Sequence, residues 1–223
     1  MAKILITGLA NAGKTSLLKP LENVLVFSRD GKEFPFKLPH TNVPDYGSID
    51  ELLSLVEQKI ESYKEHFKEY PKTLVFDSVS RIFTDIETNC GKQFKGFDQW
   101  KHLSEQVNTF AQAIHDLNMS GFNIILIAHA VWDPDSGKYI ETCKGSFAKT
   151  GGFLSTCDYS LNLEVTGNKR IVTHRNHSLA RTLLDELPDK QDVSEFNLQD
   201  YINMFNTKQK DNTEYLIYCF FSD

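Results

Sequence analysis

Residues Gly8-Leu9-Ala10-Asn11-Ala12-Gly13-Lys14-Thr15 spell the pattern G-x-x-x-x-G-K-[ST]. The apolar run Ile4-Leu5-Ile6 precedes it and the helix-compatible Ser16-Leu17-Leu18 follows, so strand, loop and helix fall in the order that a phosphate-binding loop requires. The two glycines let the backbone turn tightly enough for successive N–H groups to face one centre, and the positive end of a following helix adds to the attraction for an anion. Residues Gly8 to Ser16 are therefore expected to wrap the phosphates of a nucleoside triphosphate, with Lys14 reaching the β- and γ-phosphates and Thr15 holding Mg²⁺. The alternative is a Gly-rich turn that matches by chance.

At 223 residues the chain suits one α/β domain spanning 1–223, since a domain takes about 100 to 200 residues. The loop begins at residue 8, which leaves no space for a signal peptide ahead of it. No apolar stretch approaches the roughly 20 residues of a membrane span, so a cytoplasmic protein without membrane contact is expected. Cys90, Cys143, Cys157 and Cys219 have no C-x-x-C spacing and read as ordinary reduced thiols. The net charge of −6 argues against a uniformly basic surface. From Lys138 to Arg181, however, seven basic residues face three acidic ones, the asymmetry of either a confined anion-binding channel or a solvated basic face.

Strand and helix signals alternate. Strands are expected at 3–7, at Val24-Leu25-Val26-Phe27, and in a short extended piece at Phe34-Pro35-Phe36, with Pro20 ending the loop helix early. Ser48, three residues before Glu51, reads as the capping box of a long amphipathic helix running to about Glu69. Thr73-Leu74-Val75-Phe76-Asp77 is an apolar run ending in a carboxylate. Helical patterns then extend to about Met119, broken by Gly91 and Gly96, and Asn123 to Ala128 reads as a fully buried parallel strand because its apolar residues do not alternate. A turn at Asp133–Gly137 and a loop carrying Gly145, Gly151 and Gly152 follow. Next come alternating runs at Tyr159–Val165 and Arg170–His174, joined by Gly167-Asn168. The closing run Tyr215 to Phe221 reads as a final strand. The pattern implies a mostly parallel sheet flanked by helices, with antiparallel strands toward the C-terminus, and ligands gather outside the carboxyl ends of such strands.

That edge collects the loop itself, Ser28 to Asp30, Asp77-Ser78 and His129. Asp77 fits a carboxylate that orients Mg²⁺ opposite Thr15; a strand-end or capping Asp is the competing reading. Asp30 is the acidic candidate for positioning an attacking water, with Glu33 second, although Asp30 also suits a turn at Gly31.

The Gly8 loop, an acidic residue past the second strand, the Asp77 strand and a polar residue ending the next strand together resemble the RecA-like ATPase core. The whole chain is similar to compact phage-encoded RecA-like proteins described as nucleotide-binding or single-strand annealing proteins. The resemblance implies ATP with Mg²⁺ as cofactor, and a γ-phosphate sensor at the strand end, where His129 replaces the usual Gln. It implies a single-stranded DNA loop at Lys144 to Gly152, in which Lys144 and Lys149 meet phosphates while Phe147 and Phe153 offer stacking faces. It also implies an arginine finger acting in a neighbouring subunit. Arg175 is the best candidate for it, with Arg170 and Lys169 behind, although Thr173 stands where a lysine is usual. Phe110-x-x-Ala113 matches a subunit-linking pattern of the same family but falls in a predicted helix and is expected to supply core. The implied function is ATP hydrolysis linked to single-stranded DNA in phage recombination by strand annealing, in a head-to-tail homo-oligomer, with a single-strand binding protein as a further partner. The alternatives are a P-loop phosphotransferase acting on a small molecule and a nucleotide-switched helicase loader.

Overall fold

The computed structural model describes the backbone of residues 1–31 and 33–221 and the side chains of those up to residue 210. The sheet that carries the site is built from strands too apolar to face water. β1 (Lys3–Gly8), β2 (Val24–Ser28), β4 (Thr73–Asp77) and β5 (Asn123–Ile127) are buried along their full length, the mark of a parallel sheet covered on both faces. They run parallel beside the short β3 (His40–Asn42) and the longer β8 (Tyr159–Thr166), which β9 (Lys169–Thr173) and β10 (Lys190–Asp192) extend antiparallel. The order across the sheet is β10-β9-β8-β1-β5-β4-β2-β3. This is the expected α/β architecture, parallel at its centre and antiparallel at its C-terminal side.

Successive residues of a strand point to opposite faces, and the two cores follow that alternation. Leu5, Phe27, Phe76 and Leu126 face a layer formed by α1 (Ile49–Phe67), α2 (Val79–Gln93) and α3 (Phe97–Met119). Ile4, Ile6, Val26, Val75 and Ile127 face Leu17, Leu18 and the first turns of α6 (Leu198–Phe221), whose Leu198, Tyr201, Ile202 and Phe205 recur at helical spacing. The box at Ser48 forms with a shift: the Ser48 hydroxyl accepts the Glu51 N–H at 3.3 Å, and the Glu51 carboxylate accepts the N–H of Gly47 at 2.7 Å, a cap contributing about 1 kcal/mol. Phe110, in α3, is buried among Phe76, Phe83 and Phe153, so its pattern serves the core.

Several expected elements differ. The helix after the phosphate loop shrinks to a 3₁₀ turn, Thr15–Leu18, because Pro20 lacks the N–H that an α-helical bond to Ser16 would need. Phe34-Pro35-Phe36 is not a strand; Pro35 has no donor to give, and both rings pack on the second core while β3 forms further on. Gly91 lies inside α2, and the break falls at Gly96, at φ +62°. After the hairpin of β6 (Ala130–Asp133) and β7 (Lys138–Glu141), the expected loop is two short helices, α4 (Gly145–Lys149) and α5 (Gly152–Thr156). The run Tyr215 to Phe221 is not a strand but the last part of α6.

Candidate nucleotide-binding site

The phosphate loop leaves β1 between two neighbours, β8 and β5. Gly8 (φ +147°) and Gly13 (φ +96°) both have backbone that a side chain would strain. A Cβ on Gly8 would also stand 2.6 Å from the carbonyl oxygen of Leu163 on β8, so the strand pairing itself requires glycine there. Asn11 supplies a third positive φ, +62°, and Ala12 is buried beneath the loop. Lys14 is only 7% exposed and donates 2.8 Å hydrogen bonds to the carbonyls of Gly8 and Leu9. Its ammonium thereby sits inside the curve of the loop.

On the far side of β5, β4 ends in Asp77, level in register with Ile127, which is level with Ile6 of β1. That alignment brings the Thr15 hydroxyl to Asp77, where it donates to Oδ2 at 2.8 Å. A hydroxyl and a carboxylate, both oxygen donors, form a set that suits Mg²⁺. The glycine cradle and the buried Lys14 suit its phosphate partners. Asp30 arrives from the adjacent β2, whose Ser28 pairs with Asp77. The hydroxyl of Ser78, which caps α2 by accepting the Arg81 N–H, donates to Asp30 Oδ1 at 3.2 Å. Glu33 is exposed in the segment that follows. His129 lies on the same edge, half-buried; its N–H donates to the Ser80 hydroxyl at 2.9 Å, and its carbonyl accepts from the N–H and hydroxyl of Thr142. It joins α2 to the hairpin.

One expectation changes. Phe147 and Phe153 are not stacking faces, being 7% and 1% exposed and packed against Phe83; the glycines let α4 and α5 fold under the hairpin instead of forming an open loop. Lys144 pairs with Glu87 at 2.9 Å, while Lys149 stands exposed. Arg175 follows β9, whose Thr173 is level with Asn162 of β8 and through it with Thr7 of β1; because β9 runs antiparallel to β8, the chain there leads away from its own phosphate loop, to about mid-height of the sheet. There its guanidinium donates to the carbonyls of Leu187 (2.8 Å) and Leu184 (2.5 Å) and neighbours Asp185 and Asp189.

Other residues here were not visible to sequence reasoning. Arg29 spans Asp85, Asp45 and the Val43 carbonyl, lashing the end of β2 to α2. Glu141 accepts the N–H groups of Phe153 (2.6 Å) and Leu154 (2.8 Å), and burial pushes its carboxyl up to about 7. It fastens the hairpin to α5. The hairpin itself exposes Trp132, Val131 and Ile140, with Tyr139 edge-on to Trp132 at 5.2 Å. The alternation around the Asp133–Gly137 turn is the signal that would have revealed it.

No helix among the described residues is long and apolar enough to cross a membrane. Among curated proteins none matches the chain. A solved structure of a KaiC-like protein from the hyperthermophilic archaeon Pyrococcus horikoshii OT3 is similar at 16% identity and a TM-score of 0.48, covering 86% of this chain and 84% of that one. Residues 1–182 match the AAA domain family. That match spans the phosphate loop, Asp77, His129 and the central sheet, and the chain therefore belongs to the AAA domain family.

Proposed function

We propose that the chain binds ATP with Mg²⁺, hydrolyses it, and links its nucleotide state to single-stranded DNA in strand annealing, as the resemblance to compact phage-encoded annealing proteins implies. The observation that carries the nucleotide part is the Thr15–Asp77 hydrogen bond, which closes the phosphate loop onto the carboxylate of β4. Bound Mg²⁺ would neutralise charge on the phosphate oxygens. Thr15 gives its hydroxyl to that ion and Asp77 orients it, while Lys14 turns from its own carbonyls to the phosphates. Asp30, fixed by Ser78, accepts a hydrogen bond from the attacking water.

For DNA, the support is the hairpin that follows His129. Trp132, 56% exposed, offers the stacking face that Phe147 does not. Stacking of one base on an aromatic ring is worth about 1–3 kcal/mol whatever the base, and Lys149 with Lys144 supplies cations nearby in sequence. Because β6 begins one residue after His129, a change in how His129 meets the γ-phosphate reaches the hairpin directly. Arg175, led away from its own loop by the antiparallel course of β9, serves phosphate chemistry in a neighbouring subunit stacked head to tail.

Binding of a labelled oligothymidylate, measured with and without ATP and Mg²⁺ at two salt concentrations, tests the reading. ATP-linked affinity that falls steeply with salt is expected. Nucleotide turnover with no DNA binding at either salt points instead to a phosphotransferase or a nucleotide-switched loader.

A further inference from the structure

Arg170, and not Arg175, is the arginine laid against this chain's own phosphate loop. In the ladder between β8 and β9, Leu163 pairs with Val172 and Val165 with Arg170, while Leu163 is level with Gly8 on the other side. Arg170 thus stands two residues beyond the end of β1, overhanging the loop. A Cβ on Gly13 would meet Arg170 Cδ at 3.2 Å, Nε at 3.3 Å and Cζ at 3.5 Å, so the stem and guanidinium lie directly on that glycine. Among the described residues the guanidinium has no hydrogen-bond or ion-pair partner. Lys14, by contrast, is held at the Gly8 end of the loop. Two cations therefore bracket the loop from its two ends.

The loop's N–H groups cradle the α- and β-phosphates, and the lysine reaches the β- and γ-phosphates. Resting on the nucleotide reading above, we propose that Arg170 acts within its own chain as a clamp on the α- and β-phosphates of the bound nucleotide. A guanidinium presents paired donors that match phosphate oxygens. Oxygens of the α- and β-phosphates are present in ATP and ADP alike, so Arg170 strengthens the binding of both and does not distinguish the transition state. It is a binding residue, in contrast to a finger at the γ-phosphate. The requirement for glycine at position 13 comes from its φ of +96°, and the arginine adds only mild crowding: a methyl there would make it give by a few tenths of an ångström.

The test is the affinity for ATP and for ADP, each with Mg²⁺, measured by calorimetry on wild type, Arg170→Ala, Arg170→Lys and Lys14→Ala. Arg170→Ala is expected to weaken ATP and ADP by the same factor, about tenfold or more, as for loss of a charged hydrogen bond. It should raise KM with kcat nearly unchanged. Arg170→Lys should recover part of the loss, and the melting temperature without nucleotide should not move, since no intramolecular partner is lost. Unchanged affinity for both nucleotides would overturn the clamp while leaving the site standing, as would a loss confined to ATP. Failure of the wild type to bind either nucleotide would defeat the site and the clamp together.

Discussion

The Thr15 hydroxyl donates a 2.8 Å hydrogen bond to Oδ2 of Asp77 across 62 residues of sequence. Nothing local holds these two groups together; the parallel register of β1, β5 and β4 does. An insertion that slipped β4 by one residue would turn Asp77 to the other face of the sheet and separate the two while leaving both motifs intact in the sequence.

Asp30→Asn separates binding from turnover. The amide still accepts the hydrogen bond from Ser78, so the local fold and the affinity for ATP should hold, whereas a neutral oxygen positions water poorly and the rate should fall about 10²-fold or more. Single-turnover hydrolysis measured beside equilibrium ATP binding checks this. An undiminished rate would move the water-positioning role away from Asp30.

Two buried groups set opposing pH dependences. His174 is fully buried with neither ring nitrogen hydrogen-bonded, packed near Phe196 and Tyr201. Burial, with Arg175 beside it, pushes its pKa down to about 4 from 6.5, so the unfolded chain binds the extra proton and stability falls as pH drops from 6.5 toward 4. Glu141, raised to about 7 from 4.5, is protonated in the fold first, so its contribution is full below 4.5 and is lost as pH rises through 7. Between about 4.5 and 6.5 the two slopes, each up to about 1.4 kcal/mol per pH unit, cancel. Relative to wild type, His174→Leu should lose stability with rising pH across that window and Glu141→Gln should gain it, as read from urea midpoints at pH 5 and 6.5. Parallel curves for all three proteins would contradict this.

On the DNA side, Trp132→Ala should weaken binding to single strands of any sequence by about tenfold, and indole fluorescence of the wild type should change on titration with oligothymidylate. Replacing Lys144 and Lys149 together should flatten the salt dependence by up to about two units of slope, with Lys149 giving the larger part because Lys144 already pairs with Glu87. Binding that ignores all three substitutions would place DNA elsewhere or nowhere on the chain.

Arg175→Ala distinguishes a contribution in trans from a structural one. The residue holds the carbonyls of Leu184 and Leu187, so some loss of melting temperature is expected in any case. If it also serves a neighbour, mixing Arg175→Ala with Lys14→Ala should restore hydrolysis, because some interfaces then carry both intact groups. No recovery on mixing would leave Arg175 as a tie for the segment before β10.

Much of this site was legible because its parts are local. The phosphate loop is a contiguous pattern, and apolar runs without alternation mark buried parallel strands, so Asp77 at the end of one of them could be placed on the ligand edge. The parts that misled depend on direction and packing. Which end of β9 reaches the loop follows from its antiparallel pairing with β8, and that lays Arg170 against this chain's own phosphate loop. Phe147 and Phe153 look like exposed loop aromatics until α4 and α5 tuck them against Phe83. Tyr215 to Phe221 is apolar at nearly every position and has no period to separate helix from strand; only its continuity with the helical spacing of Leu198, Tyr201 and Phe205 decides.

The central claim is that Thr15, Asp77 and Lys14 form one Mg²⁺-dependent ATP site. The most direct measurement is ATP hydrolysis by the wild type, with Mg²⁺ and with EDTA, beside Lys14→Ala and Asp77→Asn. Hydrolysis should require Mg²⁺, disappear in Lys14→Ala together with most ATP affinity, and fall far more than binding in Asp77→Asn, each loss amounting to several kcal/mol of transition-state stabilisation. Turnover within about tenfold of wild type in Lys14→Ala, or turnover indifferent to EDTA, would contradict the account.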